Sequence, residues 1–273
     1  MIPVIIRMFY KRTLLTIILT SFFAATSSAQ VWEVGAQVGG AGYMGDLNPT
    51  NPLKISGLSF GGFVKANFDP NWAVSFNYNN GTIKADDAKS SNEQFRQRNL
   101  SFSNNLHEIS VLVDFNFFDY FSGGGFSRFS PYLYTGVGAV LFNPKTIYQE
   151  KEYELALYQT EGEKYKKAAL SIPFGFGLKY NFKSNWTLMG NIGYRNAYTR
   201  YLDDVNGEYL DPAKASTDPS ISSMQQVLSD RSNEVLGYNI GGKGVQRGDF
   251  RKRDTYMFVG IGITYTFVSQ KCF

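Results

Sequence analysis

The chain has 273 residues with a single His and a single Cys, which excludes a His-built metal cluster and an internal disulfide. Without Arg7, Lys11 and Arg12 of the leader, the 27 Lys and Arg fall to 24 against 23 Asp and Glu, so the formal charge of +4 shrinks to near balance. No clustered basic face remains to recognise a nucleic acid.

In chain order, residues 1–29 read as a signal peptide. A basic start leads into the apolar run "LLTIILTSFFAAT", and Ser27, Ser28 and Ala29 are small residues before a cut, so that the mature chain begins at Gln30. The apolar run is shorter than the roughly 20 residues a spanning helix needs. Residues 30–273 are then one domain. They are aromatic (16%) and rich in Gly (27) and contain no helix-length apolar span, a composition that calls for a test of strand alternation.

Eight segments alternate with period two, near 31–45, 58–68, 72–79, 105–117, 131–142, 170–182, 186–196 and 255–267. In the first, Trp32, Val34, Ala36 and Val38 oppose Glu33, Gly35, Gln37 and Gly39. In the last, Met257, Val259, Ile261, Ile263, Tyr265 and Phe267 oppose small, polar and aromatic residues. A soluble β-sandwich also alternates, but here the connections alternate too: short or moderate at 69–71, 118–130 and 183–185, long at 46–57, 80–104, 143–169 and 197–254. This predicts an all-β, eight-stranded antiparallel transmembrane β-barrel with short periplasmic turns and long extracellular loops.

A repeat marks one rim. "NFDPNWAV" at 67–74 and "NFKSNWTL" at 181–188 each wrap a tight turn in aromatics, placing Phe68, Trp72, Phe182 and Trp186 on the outer face with Trp32. These five are expected to form an interfacial girdle, where an apolar ring lies in lipid and a polar edge near water.

Predicted inward positions carry Glu33, Glu108 and Asp114 with Lys65, Lys179 and Arg195, three of each sign. In a narrow barrel they are expected to pair and plug the lumen. No catalytic set, cofactor or metal site is predicted. His107 stands at the loop end of its strand without an evident acid partner, and is read as an interfacial or loop-packing residue. "KADDAK" and "YLDDVNGEYLD" lack calcium-loop spacing and read as solvated acids and turn caps. "GAGYMG" at 40–45 has dinucleotide-binding spacing but opens no helix, and "RGD" at 247–249 has no adhesive context. Short helices are predicted in "YQEKEYELALYQTEGEKYKK" and around Met224, Val227 and Leu228, with short hairpins in the second and fourth long loops.

The ordered set "GAQVGGAGYMGDLNP", "GTIKADDAK", "LSFSNNLHEISVLVDFNFFDY", "SPYLYTGVGAVLFNPK", "GYRNAYTRYLDDVNGEY" and "QRGDFRKRDTYMFVGIGITYTF" resembles the PorG family, small outer-membrane barrels of the type IX secretion system of Bacteroidota. The resemblance covers the mature chain, with one departure: "VSQKCF" follows the aromatic-ended last strand. It implies a non-enzymatic role in secretion and gliding, tying the periplasmic PorK and PorN ring to the outer membrane. For that role the 118–130 turn offers Tyr120, Phe121, Phe126, Arg128 and Phe129, which either touch the ring or join the girdle. The competing classes are a small outer-membrane channel and a lipid-modifying barrel enzyme.

Overall fold

The structure is a computed structural model describing residues 31–120, 122, 124–183, 185–249 and 251–267. The predicted signal peptide, Phe121 and the C-terminal "VSQKCF" lie outside the described residues.

Eight antiparallel strands close on themselves: β1 (Val31–Met44), β2 (Ile55–Asn67), β3 (Trp72–Asp86), β4 (Ser101–Asn116), β5 (Phe129–Leu141), β8 (Ala168–Lys183), β9 (Trp186–Ala197) and β10 (Thr255–Phe267). Each pairs with its neighbour in the chain, and β10 returns to β1 with Glu33 opposite Thr266. The barrel therefore has no free edge among these strands. The eight predicted segments correspond to these eight strands. The chief difference in extent is in the second loop, where β3 and β4 stay paired up to Asp86 and Ser101, so that hairpin rises well beyond the predicted strand end.

Alternation is inverted relative to a soluble fold. Val38, Leu58, Phe76, Val137, Leu170 and Ile261 are exposed on the outer wall, while Glu33, Lys65, Glu108, Asp114, Lys179 and Arg195 are buried inside. Only a lipid environment makes that arrangement favourable, because in water it would leave the apolar band unburied. Interior glycines give large rings their space. A Cβ at Gly193 would stand 1.9 Å from the Tyr134 hydroxyl oxygen, and one at Gly42, beside a bulge in the β1–β2 pairing, 2.7 Å from the Lys54 carbonyl. Gly42 belongs to "GAGYMG", which is strand and bulge, with no helix for a dinucleotide to meet.

The loops build a second layer over one end. Tyr43, Leu47, Ile83, Phe102, Leu202 and Leu228 belong to a buried apolar cluster there, so the long loops pack as a cap. Its helices are α1 (Glu93–Arg98), α2 (Leu155–Tyr158), α3 (Pro219–Ser229) and α4 (Asn233–Leu236). Asp218 caps α3 by accepting from the Ser220 amide at 2.9 Å, Pro219 opens it, and Leu228 is buried, in keeping with the predicted helical spacing.

One loop expectation is met in part and one is corrected. The segment 148–167 is helical only over α2. Before it stands a hairpin, β6 (Lys145–Tyr148) and β7 (Lys151–Glu154), that turns through Gln149 and Glu150 at φ 47° and 64°. Among its described residues the fourth loop holds α3 and α4 and, in place of a hairpin, an isolated bridge between Glu208 and Gln246.

Candidate functional site

The lumen is filled by a polar network in two tiers. In the lower, Asp114 accepts an ion pair from Lys65, and Lys179 Nζ lies 3.1 Å from the same Asp114 oxygen and 2.8 Å from Asn116 Oδ1. The Lys179 ammonium also sits 4.2 Å from the centre of the Tyr132 ring. In the upper, Glu108 receives Arg195 Nε at 3.3 Å and the Tyr256 hydroxyl at 2.6 Å. A run of amides crosses the lumen toward it: Asn191 donates to Gln37, Gln37 to Asn79, and Asn79 to Glu108. Phe63, Leu112, Tyr132, Tyr134 and Met189 pack among these groups. Glu33 is the exception to charge pairing. It faces Lys65 in the strand register, yet Lys65 turns to Asp114, and Glu33 accepts from Asn67 Nδ2 at 3.1 Å.

The short-turn end is closed as well. In the first turn Asp69 Oδ1 accepts from the amides of Asn71 and Trp72 at 2.7 and 2.8 Å. The repeated Asn before each Trp has a task not evident from the sequence. Asn71 donates its carboxamide to the Asn116 carbonyl (3.0 Å), and its own carbonyl accepts from the Asn116 amide (2.7 Å). Asn185 does the same to Thr266, at 2.8 Å each way. Each repeat thus clamps a turn to the next strand, and Trp32, Phe68, Trp72, Phe182 and Trp186 ring that rim on the outside, 39–48% exposed. Trp72 packs on Phe115 and Trp186 on Tyr265.

The 118–130 turn divides its candidate residues. Tyr120 is fully buried, its hydroxyl 2.7 Å from Thr187 Oγ1, and Ser122 meets Thr266 Oγ1 at 2.9 Å, so these two residues fold back as a stopper. Tyr120 is therefore not a surface contact: with aromatic and lysine groups beside it in the lumen, its ring is better buried than solvated. Phe126 is 93% exposed and Arg128 is exposed beside it. Phe129 opens β5 on the lipid face, 6.3 Å from Phe118.

At the opposite end the cap is held by two buried arginines. Arg98 bonds Asp87 through two nitrogens at 2.7 and 2.9 Å and donates to the carbonyls of Arg247 and Asp46. Arg247 meets Glu161 at 3.0 Å and the carbonyls of Asp204 and Ser229. The RGD arginine is thus a cap anchor. The acidic stretches differ from the solvated reading: Asp86 and Asp211 do cap turns, but Asp87, Asp203 and Asp204 are buried. Burial raises the carboxyl of Asp204 to about 6 even against the pull of Arg247, and burial raises Asp87 despite Arg98. His107 is exposed on the outer wall, 2.9 Å from the Tyr78 hydroxyl and beside Asn80 and Asn105. No helix among the described residues is long and apolar enough to cross a membrane; the strands do the crossing.

A closed eight-stranded barrel with an apolar outside, a charge-paired inside and an aromatic rim is a transmembrane β-barrel of the outer-membrane type. The chain belongs to the family described as "Domain of unknown function (DUF6089)", which matches residues 11–214. No curated protein matches it. Similar solved structures include a major outer membrane protein from Thermus thermophilus (12% identity, 88% of this chain and all of that one, TM-score 0.42). Two others are the outer membrane protein OprG from Pseudomonas aeruginosa (11%, 88% and 97%, TM-score 0.40) and the N-terminal β-barrel domain of Pseudomonas aeruginosa OprF (12%, 88% and 98%, TM-score 0.38).

The lipid belt carries a depth-dependent expectation. Val111 and Val137 pair across β4 and β5, midway between the aromatic rim and the cap. Val111→Arg is expected to cost about 2–4 kcal/mol, and the same change at Phe117, near the rim, about 0–1 kcal/mol. Urea unfolding of both variants in lipid vesicles measures the difference, and equal costs would contradict the placement of the belt.

Proposed function

We propose that the protein is a non-enzymatic outer-membrane component of the type IX secretion and gliding machinery, anchoring the periplasmic PorK and PorN ring to the outer membrane. It reaches that membrane through the signal peptide at 1–29 and is held there by lipid around the belt. The observation that carries the reading is the short-turn face. Phe126 is 93% exposed and stands with exposed Arg128 on a turn whose Tyr120 and Ser122 are buried. An exposed aromatic beside a cation is the composition of a protein-binding anchor point. The filled lumen leaves surfaces as the means of action, and the PorG-like run of motifs supplies the partner.

A photo-crosslinking residue at position 126 tests this. The expected adduct in intact cells is to a ring protein, while the same probe at Val235, exposed on the cap, gives none. Phe126→Ser with Arg128→Glu is expected to abolish the adduct and ring co-purification while leaving the barrel's thermal stability unchanged. Adducts only to lipid would favour girdle membership. Solute flux through the purified barrel, or lipid hydrolysis, would favour the channel or enzyme alternatives.

A further inference from the structure

Three carboxylates come together where the first and fourth loops meet. Asp46 follows β1, Asp203 follows β9 and Asp254 precedes β10, the ends of three adjacent strands. One oxygen of each lies within 4.8 Å of the others, and all three residues are buried. A backbone amide orients each of them: Asp249 N to Asp46 Oδ1 at 2.5 Å, Val205 N to Asp203 Oδ1 at 3.0 Å, and Leu202 N to Asp254 Oδ2 at 2.9 Å. Tyr43 donates its hydroxyl to Asp203 Oδ2.

Two observations separate this cluster from an ordinary acidic patch. Asp254 Oδ1 is fully buried and has no hydrogen-bond partner, although its carboxylate converges on the other two. The cations whose fields reach the triad are also engaged elsewhere: Arg98 acts on Asp46 but pairs with Asp87, and Arg251 acts on Asp254 but pairs with Asp249. Three buried carboxylates without a paired cation are costly, and burial followed by mutual repulsion pushes Asp203 and Asp254 well above the usual carboxylate range. Hard oxygen donors alone select calcium or magnesium over softer metals. Calcium accepts irregular sets of carboxylate oxygens, whereas magnesium demands near-ideal octahedral geometry and keeps several waters, which a set of three fully buried carboxylates does not favour.

We propose that Asp46, Asp203 and Asp254 form a calcium site that ties the first and fourth loops together over the barrel mouth. The orphan oxygen of Asp254 is a ligand, and the three amides hold the carboxylates in place for the ion. Binding at loop bases stabilises the cap rather than the membrane-embedded wall, because the ion meets only the ordered loops.

The test is equilibrium dialysis of the full mature chain, refolded in detergent and stripped with EDTA, against radioactive calcium at up to millimolar concentration. One ion per chain is expected, together with slower proteolysis of the fourth loop in calcium. Asp254→Asn and Asp203→Asn should each lose the ion and the protection, and Asp218→Asn, at the exposed cap of α3, should keep both. Heat-dependent electrophoretic mobility shows whether each variant is folded, with Asp46→Asn read in place of any that is not. No calcium bound by the folded wild type, or binding unchanged in the triad variants, would overturn the site. Tighter binding of magnesium in competition would overturn its assignment to calcium.

Discussion

Asp114→Ala is expected to be the most damaging single change in the barrel wall. Asp114 is the shared anion of Lys65 and Lys179, and all three side chains are 3–4% exposed. Its removal leaves two like charges buried side by side, and breaking a buried pair costs about 3–5 kcal/mol even with one cation stranded. Lys179→Met should cost much less, because the Lys65–Asp114 pair survives and a methylene chain still packs on Tyr132. Asp114→Ala combined with Lys65→Met and Lys179→Met should recover most of the loss, since an apolar replacement strands nothing. Urea unfolding of the wild type and these three variants in vesicles measures this ordering. If Asp114→Ala were as mild as Lys179→Met, the lumen charges would not be coupled as described.

The second large effect belongs to the cap. Arg247→Met removes the ion pair to the part-buried Glu161 and the buried bonds to the carbonyls of Asp204 and Ser229. The same cost of about 3–5 kcal/mol applies, but it falls on the loops. The expected result is rapid proteolysis within 197–254 while the barrel keeps its heat-dependent mobility and its unfolding midpoint. The change weakens the cap, held by its apolar cluster and two arginines, while leaving intact the closed hydrogen-bonded strand pairing that holds the wall. Loss of both together would contradict that division.

The wall was legible in the sequence because lipid and lumen impose opposite demands on successive residues, and alternation records them directly. The six lumen charges were placed on the same ground. What alternation does not carry is the partner of each charge: Glu33 and Lys65 are opposed in register, yet Lys65 reaches Asp114. The β6–β7 hairpin was hidden because its turn places Gln149 and Glu150 at positive φ, where Gly, Asn or Asp would have given a signal. Asp87, Asp203 and Asp204 looked solvated because their burial is set by distant chain. Arg98 reaches Asp87 across α1, Arg247 faces Asp204 from the far end of the fourth loop, and Asp203 meets Asp46 of the first loop. Nothing in the Phe- and Gly-rich turn distinguished Tyr120, which folds inward, from Phe126, which stays outside.

The proposed role of the barrel, as a membrane anchor that holds a periplasmic ring through its short-turn face, is tested most directly by capture of the tagged protein from gently solubilised outer membrane, with its stoichiometric companions identified. PorK and PorN are expected with the wild type and are expected to be lost with Phe126→Ser and Arg128→Glu. A barrel that emerges alone, under conditions that keep other envelope complexes whole, would contradict that role.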